Sequence, residues 1–146
     1  KTAKIMTDQV TSIEQSKRLI ELGVPADKAS MVWEWGWVCG TVDEENYELK
    51  IWQECKLDKI LAYQEFPESF IPAFTVADLL AVLPKVMEDD EGVPFYLNIQ
   101  YNRKEYSEIK YKGVYGILWS CFGASLLNNL VEAVDGVVTN GYELTL

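Results

Sequence analysis

The sequence predicts an α+β fold: an antiparallel sheet of about five strands, in two hairpin or meander units, with helices packed on one face. Three observations carry this. Apolar residues recur at helical spacing in some stretches and at period two in others. The strand-like stretches follow one another through short polar turns rather than helical crossovers. Capping residues stand where the helical stretches begin and end. The 146 residues are 49% hydrophobic and 25% charged, ordinary values for a globular protein. Without an internal repeat or a linker-like stretch, that length points to one domain over 1–146.

Residues 1–10 show no period and read as a loose lead-in. Thr11 or Ser12 can cap a helix with Glu14 or Gln15 at its third position, the reciprocal arrangement of a capping box. Ile13, Leu19, Ile20 and Leu22 supply its apolar face, and Gly23 is a natural stop because glycine alone enters the left-handed region without penalty. Pro25 can open a further short turn to about Ser30. The period then changes. Met31, Trp33, Trp35 and Trp37 fall on one strand face and Val32, Glu34, Gly36 and Val38 on the other. A polar stretch from Thr41 to Asn46 leads to Tyr47–Ile51, which alternates again, so the two form a hairpin.

Residues 56–72 are irregular and are punctuated by Pro67 and Pro72. Thr75-Val76-Ala77-Asp78 caps a helix carrying Leu79, Leu80 and Leu83, closed by Pro84. Glu88-Asp89-Asp90-Glu91-Gly92 reads as a solvated acidic loop. Phe95, Leu97, Ile99 and Tyr101 alternate with Tyr96, Asn98 and Gln100, a strand. Turns at Asn102-Arg103-Lys104 and at Gly113 then give strands over 105–112 and 114–119, a three-strand meander. A closing helix runs from about Ala124 to Thr139, with Leu126, Leu127, Leu130, Val131, Val134, Val137 and Val138 on one broad face. Gly136 inside it costs about 1 kcal/mol relative to alanine, which points to close packing or a kink.

The composition prunes the functional classes. The net charge is −10, and residues 43–91 hold 13 acids against 4 bases. No basic stripe is present, so neither nucleic acid nor an anionic membrane surface is the expected partner. No run of 18 apolar residues and no signal-peptide pattern occur, and a cytoplasmic protein is expected. Histidine is absent, which removes Ser-His-Asp and Cys-His catalysis and every His-containing zinc site. Cys39, Cys55 and Cys121 lie far apart without a C-x-x-C pair and read as reduced thiols, not ligands. The run Glu88–Glu91 lacks the spaced oxygen ligands of a calcium loop. Neither metal nor cofactor is expected.

Three stretches together carry a resemblance: Ser12-Ile13-Glu14-Gln15 through Leu22-Gly23-Val24, Pro72-Ala73-Phe74-Thr75 through Leu83-Pro84, and the closing helix ending Asn140-Gly141-Tyr142. With them the chain resembles small uncharacterised proteins of gut anaerobic bacteria and their phages and mobile elements. The likeness spans most of the length, though its landmarks are caps, turns and core positions. Gly136 departs from it, since such proteins are expected to carry a bulky aromatic near the end of the last helix. The resemblance implies a setting, a cytoplasmic accessory of the kind used in host–phage conflict. It implies no residue role.

The leading expectation is a non-enzymatic binding protein that acts through a protein surface, formed by Asp43, Glu44 and Glu45 beside the Trp33, Trp35 and Trp37 stripe. Core packing is the plainer account of that stripe, since large aromatics fill the gap between a sheet and its helices. A second reading is a small nucleotide-like ligand held by Arg103, Lys104, Tyr106 and Lys110, with Tyr101, Tyr111 and Lys112 nearby; a salt-bridged hairpin surface is its plain alternative. A third is an acid–base hydrolase pairing Glu34 with Glu48, Glu54, Glu105 or Glu108.

Overall fold

The computed structural model describes residues 9–35, 47–52, 61, 64–102 and 106–146. The chain falls into two compact units, Lys1–Asp78 and Leu79–Leu146. The fold is α+β, but with seven described strands in two antiparallel sheets where one sheet of about five was expected.

The first unit begins with α1 (Ile13–Glu21). Of the two hydroxyls that could cap it, Ser12 does so. Its Oγ accepts from the Gln15 N–H at 3.1 Å, while Gln15 Oε1 accepts from the Ser12 N–H at 3.0 Å. Thr11 is left for the interior, where its hydroxyl meets that of Ser16 at 2.7 Å and accepts from the Phe74 N–H at 3.0 Å. Both hydroxyl residues are fully buried, and their mutual bonding avoids the desolvation cost of an unpaired group. Gly23, at φ 99°, ends the helix; its N–H reaches Ile20 O and the Val24 N–H reaches Leu19 O, the paired bonds of a Schellman stop.

A 3-10 turn over Ala26–Lys28 leads into β1 (Met31–Trp35), followed by β2 (Tyr47–Ile51) and β3 (Phe70–Ala73). The sheet order is β2-β1-β3, with Trp33 opposite Leu49 on one side and Ile71 on the other. β3 is a strand that periodicity does not reveal, because it is four residues long and contains Pro72. An edge strand accommodates a proline, whose missing N–H leaves no central ladder bond unmade. Val10, Met31 and Ala73 form a buried cluster, against which Trp33 and Leu49 pack. Helix α2 (Val76–Val82) follows, and the boundary between the two units falls within it, after Asp78. Thr75 Oγ1 accepts from the Asp78 N–H at 3.2 Å, and Asp78 answers by accepting from the Thr75 N–H at 3.0 Å. The same carboxylate accepts from the Ser30 N–H and hydroxyl at 2.8 and 2.5 Å, so the cap also ties down the entry to β1.

The second unit is a four-stranded meander with one helix on it. The strands are β4 (Val86–Glu88), β5 (Pro94–Asn102), β6 (Tyr106–Gly113) and β7 (Gly116–Gly123), in that spatial order, followed by α3 (Leu126–Thr139). Asp89 shapes the β4–β5 turn, its Oδ1 accepting from the N–H groups of Glu91 and Val93 at 2.9 Å. The β6–β7 turn is Val114-Tyr115, between the paired Gly113 and Gly116. The last strand therefore lies over 116–123 and not over 114–119, and its pairing shifts by one residue opposite Tyr111 and Lys112.

Ser125 caps α3, its hydroxyl accepting from the Asn128 N–H at 3.2 Å. The helix packs on β6 and β7 and buries Leu127, Leu130, Val131, Val134 and Val137. Asn129 fastens it to the strand ends: its Nδ2 lies 3.0 and 2.6 Å from Ser107 O and Oγ and 3.2 Å from Gly123 O. Gly136 is where the helix meets Trp119. A Cβ there would stand 2.5 Å from the indole Cε2, far inside contact distance, so close packing and not a kink explains this glycine. No described helix is long and apolar enough to cross a membrane.

Candidate docking face of the second sheet

Strands β5, β6 and β7 alternate, and the register sorts their side chains into two faces. Leu97 pairs with Tyr111 and Ile99 with Ile109, which in turn faces Cys121. This is the face under α3, where Ile109 and Tyr111 are fully buried. The Tyr111 hydroxyl donates to Pro84 O at 2.8 Å, and burial pushes its pKa above the ordinary tyrosine value. Cys121 has its pKa pushed up to about 11, by burial first and by the Glu132 charge second. A thiol so disfavoured as thiolate is a poor nucleophile.

The opposite face reads in rows across the sheet. Val86, Tyr96, Lys112 and Ile117 form one row; Asn98, Lys110 and Ser120 the next; Gln100, Glu108 and Phe122 the third; Tyr106 ends it. A face turned to water should be polar. This one instead exposes Tyr96 (55%), Tyr106 (51%), Ile117 (52%) and Phe122 (74%). The Tyr106 and Phe122 rings are 6.3 Å apart and tilted by 43°, inside the range in which aromatic pairs attract. Between the apolar groups lies a polar centre. Lys110 Nζ is 3.2 Å from Gln100 Oε1 and 3.7 Å from Glu108 Oε1, and its side chain is only 12% exposed. Asn98 Oδ1, on the residue paired with Lys110, is buried without a hydrogen-bond partner.

The ligand cluster expected from the sequence is thus partly assembled. Tyr106 and Lys110 share the open face with Lys112, whereas Tyr111 points the other way into the core. Arg103 and Lys104 lie outside the described residues. Tyr96, Ile117 and Phe122 were not singled out by sequence. The Tyr96 signal was present, as the alternate of Leu97 and Ile99, but nothing local says which face a distant helix covers. Phe122 lay beyond the expected strand end.

The expected tryptophan surface looks different in place. Trp33 is half-buried against Val10, Met31 and Ala73, and its Nε1 donates to Thr11 O at 3.0 Å. Trp35 is half-buried, with its backbone N–H on Ser69 O at 2.9 Å. Trp37, Asp43, Glu44 and Glu45 lie outside the described residues, as do Cys39, Cys55, Glu54 and Glu105. Glu34 faces Glu48 across the β1–β2 pair, but Lys50 Nζ sits 2.9 Å from Glu34 Oε2. Hydrogen bonding to Glu34, then its charge, raises the Lys50 pKa. A carboxylate facing an ammonium lacks the apolar surroundings that prepare a general acid. Among the described residues, no three carboxylate or thiol side chains converge to hold a metal ion. Comparison with protein families, curated proteins and solved structures finds no match, so the geometry alone carries the functional reading.

Proposed function

We propose that this chain is a non-enzymatic binding protein, working in the cytoplasm, that docks a protein partner on the open face of the β4-β5-β6-β7 sheet. The observation that carries the reading is the set of exposed apolar side chains, Tyr96, Ile117, Tyr106 and Phe122, on a face that alternation would leave polar. The four lie on three neighbouring strands, which stand about 4.8 Å apart, so they spread roughly 10 Å across the sheet and over several rows along it. A single planar ligand covers one or two such side chains, whereas a protein surface covers them all. Tyrosine and phenylalanine are also the residues that concentrate binding energy at interfaces. The partner's chemistry follows from the rows: an apolar patch with a carboxylate placed to meet Lys112, which stands exposed between Tyr96 and Ile117.

A nucleotide-like ligand stacked on Tyr106 and Phe122 is the second reading, favoured by their ring contact and the neighbouring lysines. It is the weaker one, because Lys110 is already engaged by Gln100 and Glu108.

The test places a photo-crosslinking residue at Phe122 or, as a control, at the exposed Asn128 of α3, and carries Tyr96→Ala as a separate variant. Crosslinking of one defined protein from position 122 and not from 128, lost with Tyr96→Ala, supports the reading. A partner lost only when Asp43, Glu44 and Glu45 are neutralised would overturn it in favour of the acidic segment. Micromolar binding of a mononucleotide in calorimetry, abolished by Phe122→Ala, would replace the protein partner with the ligand.

A further inference from the structure

The end of α3 carries a reactive pair that the docking face does not use. Asn140 is followed by Gly141. An asparagine amide before glycine is open to attack by the next backbone nitrogen, because glycine has no Cβ to crowd the approach. Asn140 is exposed, and a Cβ on Gly141 would meet nothing within 4 Å, so packing does not keep water from the pair. Hydrogen bonds and backbone angles hold it instead. Asn140 Nδ2, the leaving group, donates to Gly136 O at 2.6 Å. The Gly141 N–H, the nucleophile, donates to Val138 O at 3.1 Å. Asn140 stands at ψ 6°. There the Gly141 nitrogen nearly eclipses the backbone nitrogen of Asn140 and is rotated about 120° away from its Cβ, as a tetrahedral Cα dictates. Attack on Cγ needs that rotation closed. The segment after the helix prevents it, since the Tyr142 N–H reaches Val137 O at 3.0 Å and the Thr145 N–H reaches Val82 O at 2.8 Å.

We infer that Asn140 is a site of spontaneous deamidation, gated by release of this strap. On opening, the Gly141 nitrogen bonds to Asn140 Cγ and gives up its proton, the Cγ–Nδ2 bond breaks, and Nδ2 leaves as ammonia. Water then opens the cyclic imide at one of its two carbonyls, leaving aspartate or isoaspartate, with nothing oxidised or reduced. The product does not restore the lock. The side-chain donor to Gly136 O is lost, and a new negative charge stands at the C-terminal end of a helix, where the helix dipole disfavours it. Isoaspartate also adds a carbon to the main chain, which draws the Gly141 and Tyr142 N–H groups off Val138 O and Val137 O. The change is therefore one-way. It frees Tyr142 from the wall of a crevice of about 100 Å³ that Met87 and Trp119 also line. The reaction needs neither partner nor ligand, so it stands or falls apart from the docking reading.

Mass spectrometry of the full chain incubated at mildly alkaline pH tests it, with peptide mapping to place the mass gain of deamidation. The native chain should react at Asn140 at least about tenfold more slowly than the chain in concentrated urea, since reaction then waits on local opening. Thr145→Pro removes the N–H that reaches Val82 O and should bring the native rate toward that in urea, with far-UV circular dichroism to establish that the variant is folded. Should it unfold, Tyr142→Pro, which removes the N–H that reaches Val137 O, serves with the same expectation. The deamidated protein, separated by anion exchange, should show the Tyr142 and Thr145 amides deprotected in deuterium exchange while those of β6 stay protected. Equal rates in buffer and in urea overturn the proposal, as does an Asn140 that stays intact in both. A folded strap variant that reacts no faster than the wild type overturns the gate. Unchanged protection in the deamidated protein overturns the one-way release.

Discussion

The central strand of the first sheet, β1, and an inner strand of the second, β6, solve burial in opposite ways. In β1 the consecutive residues Met31 and Val32 are both buried, so both faces of the sheet are covered at that point. In β6 the buried residues are Ser107, Ile109 and Tyr111, each separated by a partly exposed one. Burial of consecutive residues leaves no free face at that point, whereas alternation leaves one along the strand by construction. Aromatic residues placed on that free face then need another explanation than the core. The first sheet's tryptophans look exceptional in the sequence, yet Trp33 is held by Thr11 and the Val10 cluster. The second sheet's Tyr96 and Phe122 look ordinary, yet they stand in solvent.

The contrast can be broken most severely by truncating one buried side chain in each unit. Phe74→Ala and Leu130→Ala each remove a fully buried side chain, and substitutions of this kind cost about 2–5 kcal/mol. Hydrogen exchange should show amides of β1 and β3 deprotected first by Phe74→Ala, and those of β6 and α3 first by Leu130→Ala. Equal deprotection of both sets by either variant would mean that the units do not respond separately.

Gly136→Ala comes next. Despite a helix-propensity gain of about 1 kcal/mol, the added methyl meets the Trp119 indole at 2.5 Å, and overpacking costs about 1–3 kcal/mol. The melting temperature should fall and should recover in part when Trp119→Leu is added. A stabilised Gly136→Ala protein would rule out the close contact.

Alkaline pH should weaken the second unit for a reason confined to its covered face. Cys121 has a folded pKa raised from 9.0 to about 11, and Tyr111 has one raised above 10. A raised folded pKa means that the unfolded chain releases its proton first. The stabilisation is therefore complete below the unfolded value and drains away as pH climbs toward the folded one. The urea midpoint should decline from pH 9 upward, and Cys121→Ala together with Tyr111→Phe should flatten that decline. An unchanged slope in the double variant would assign the loss to other groups.

The open face should show the smallest effect on stability. Phe122→Ser and Lys112→Ser change exposed positions, where substitutions usually stay within about 0.5 kcal/mol. Both should melt with the wild type while reducing partner crosslinking from the face. A large loss of stability at Phe122 would show it to be structural.

Much of the fold was legible because it is local. Ser12 with Gln15, Thr75 with Asp78 and Gly23 act on neighbours within a turn or two, so their spacing alone announces the helix ends. Long alternation in β5 and β6 and the apolar stripe of α3 were equally plain. The candidate site was legible only in part: Tyr106 and Lys110 were found as a cationic–aromatic mixture, but Tyr111 was grouped with them although one residue of register sends it to the core.

The sequence by itself therefore determined the α+β class, the helix caps, the absence of histidine chemistry and the acidic charge. Each depends on composition or on residues near in the chain. Only the tertiary structure decided that β3 and β4 are strands, since three or four residues have no period of their own and are ordered by pairing with β1 and β5. It also decided which face of each sheet is covered. That depends on where α3 lands relative to β6 and β7, a choice made by summed burial across distant residues and written in no single stretch of the chain.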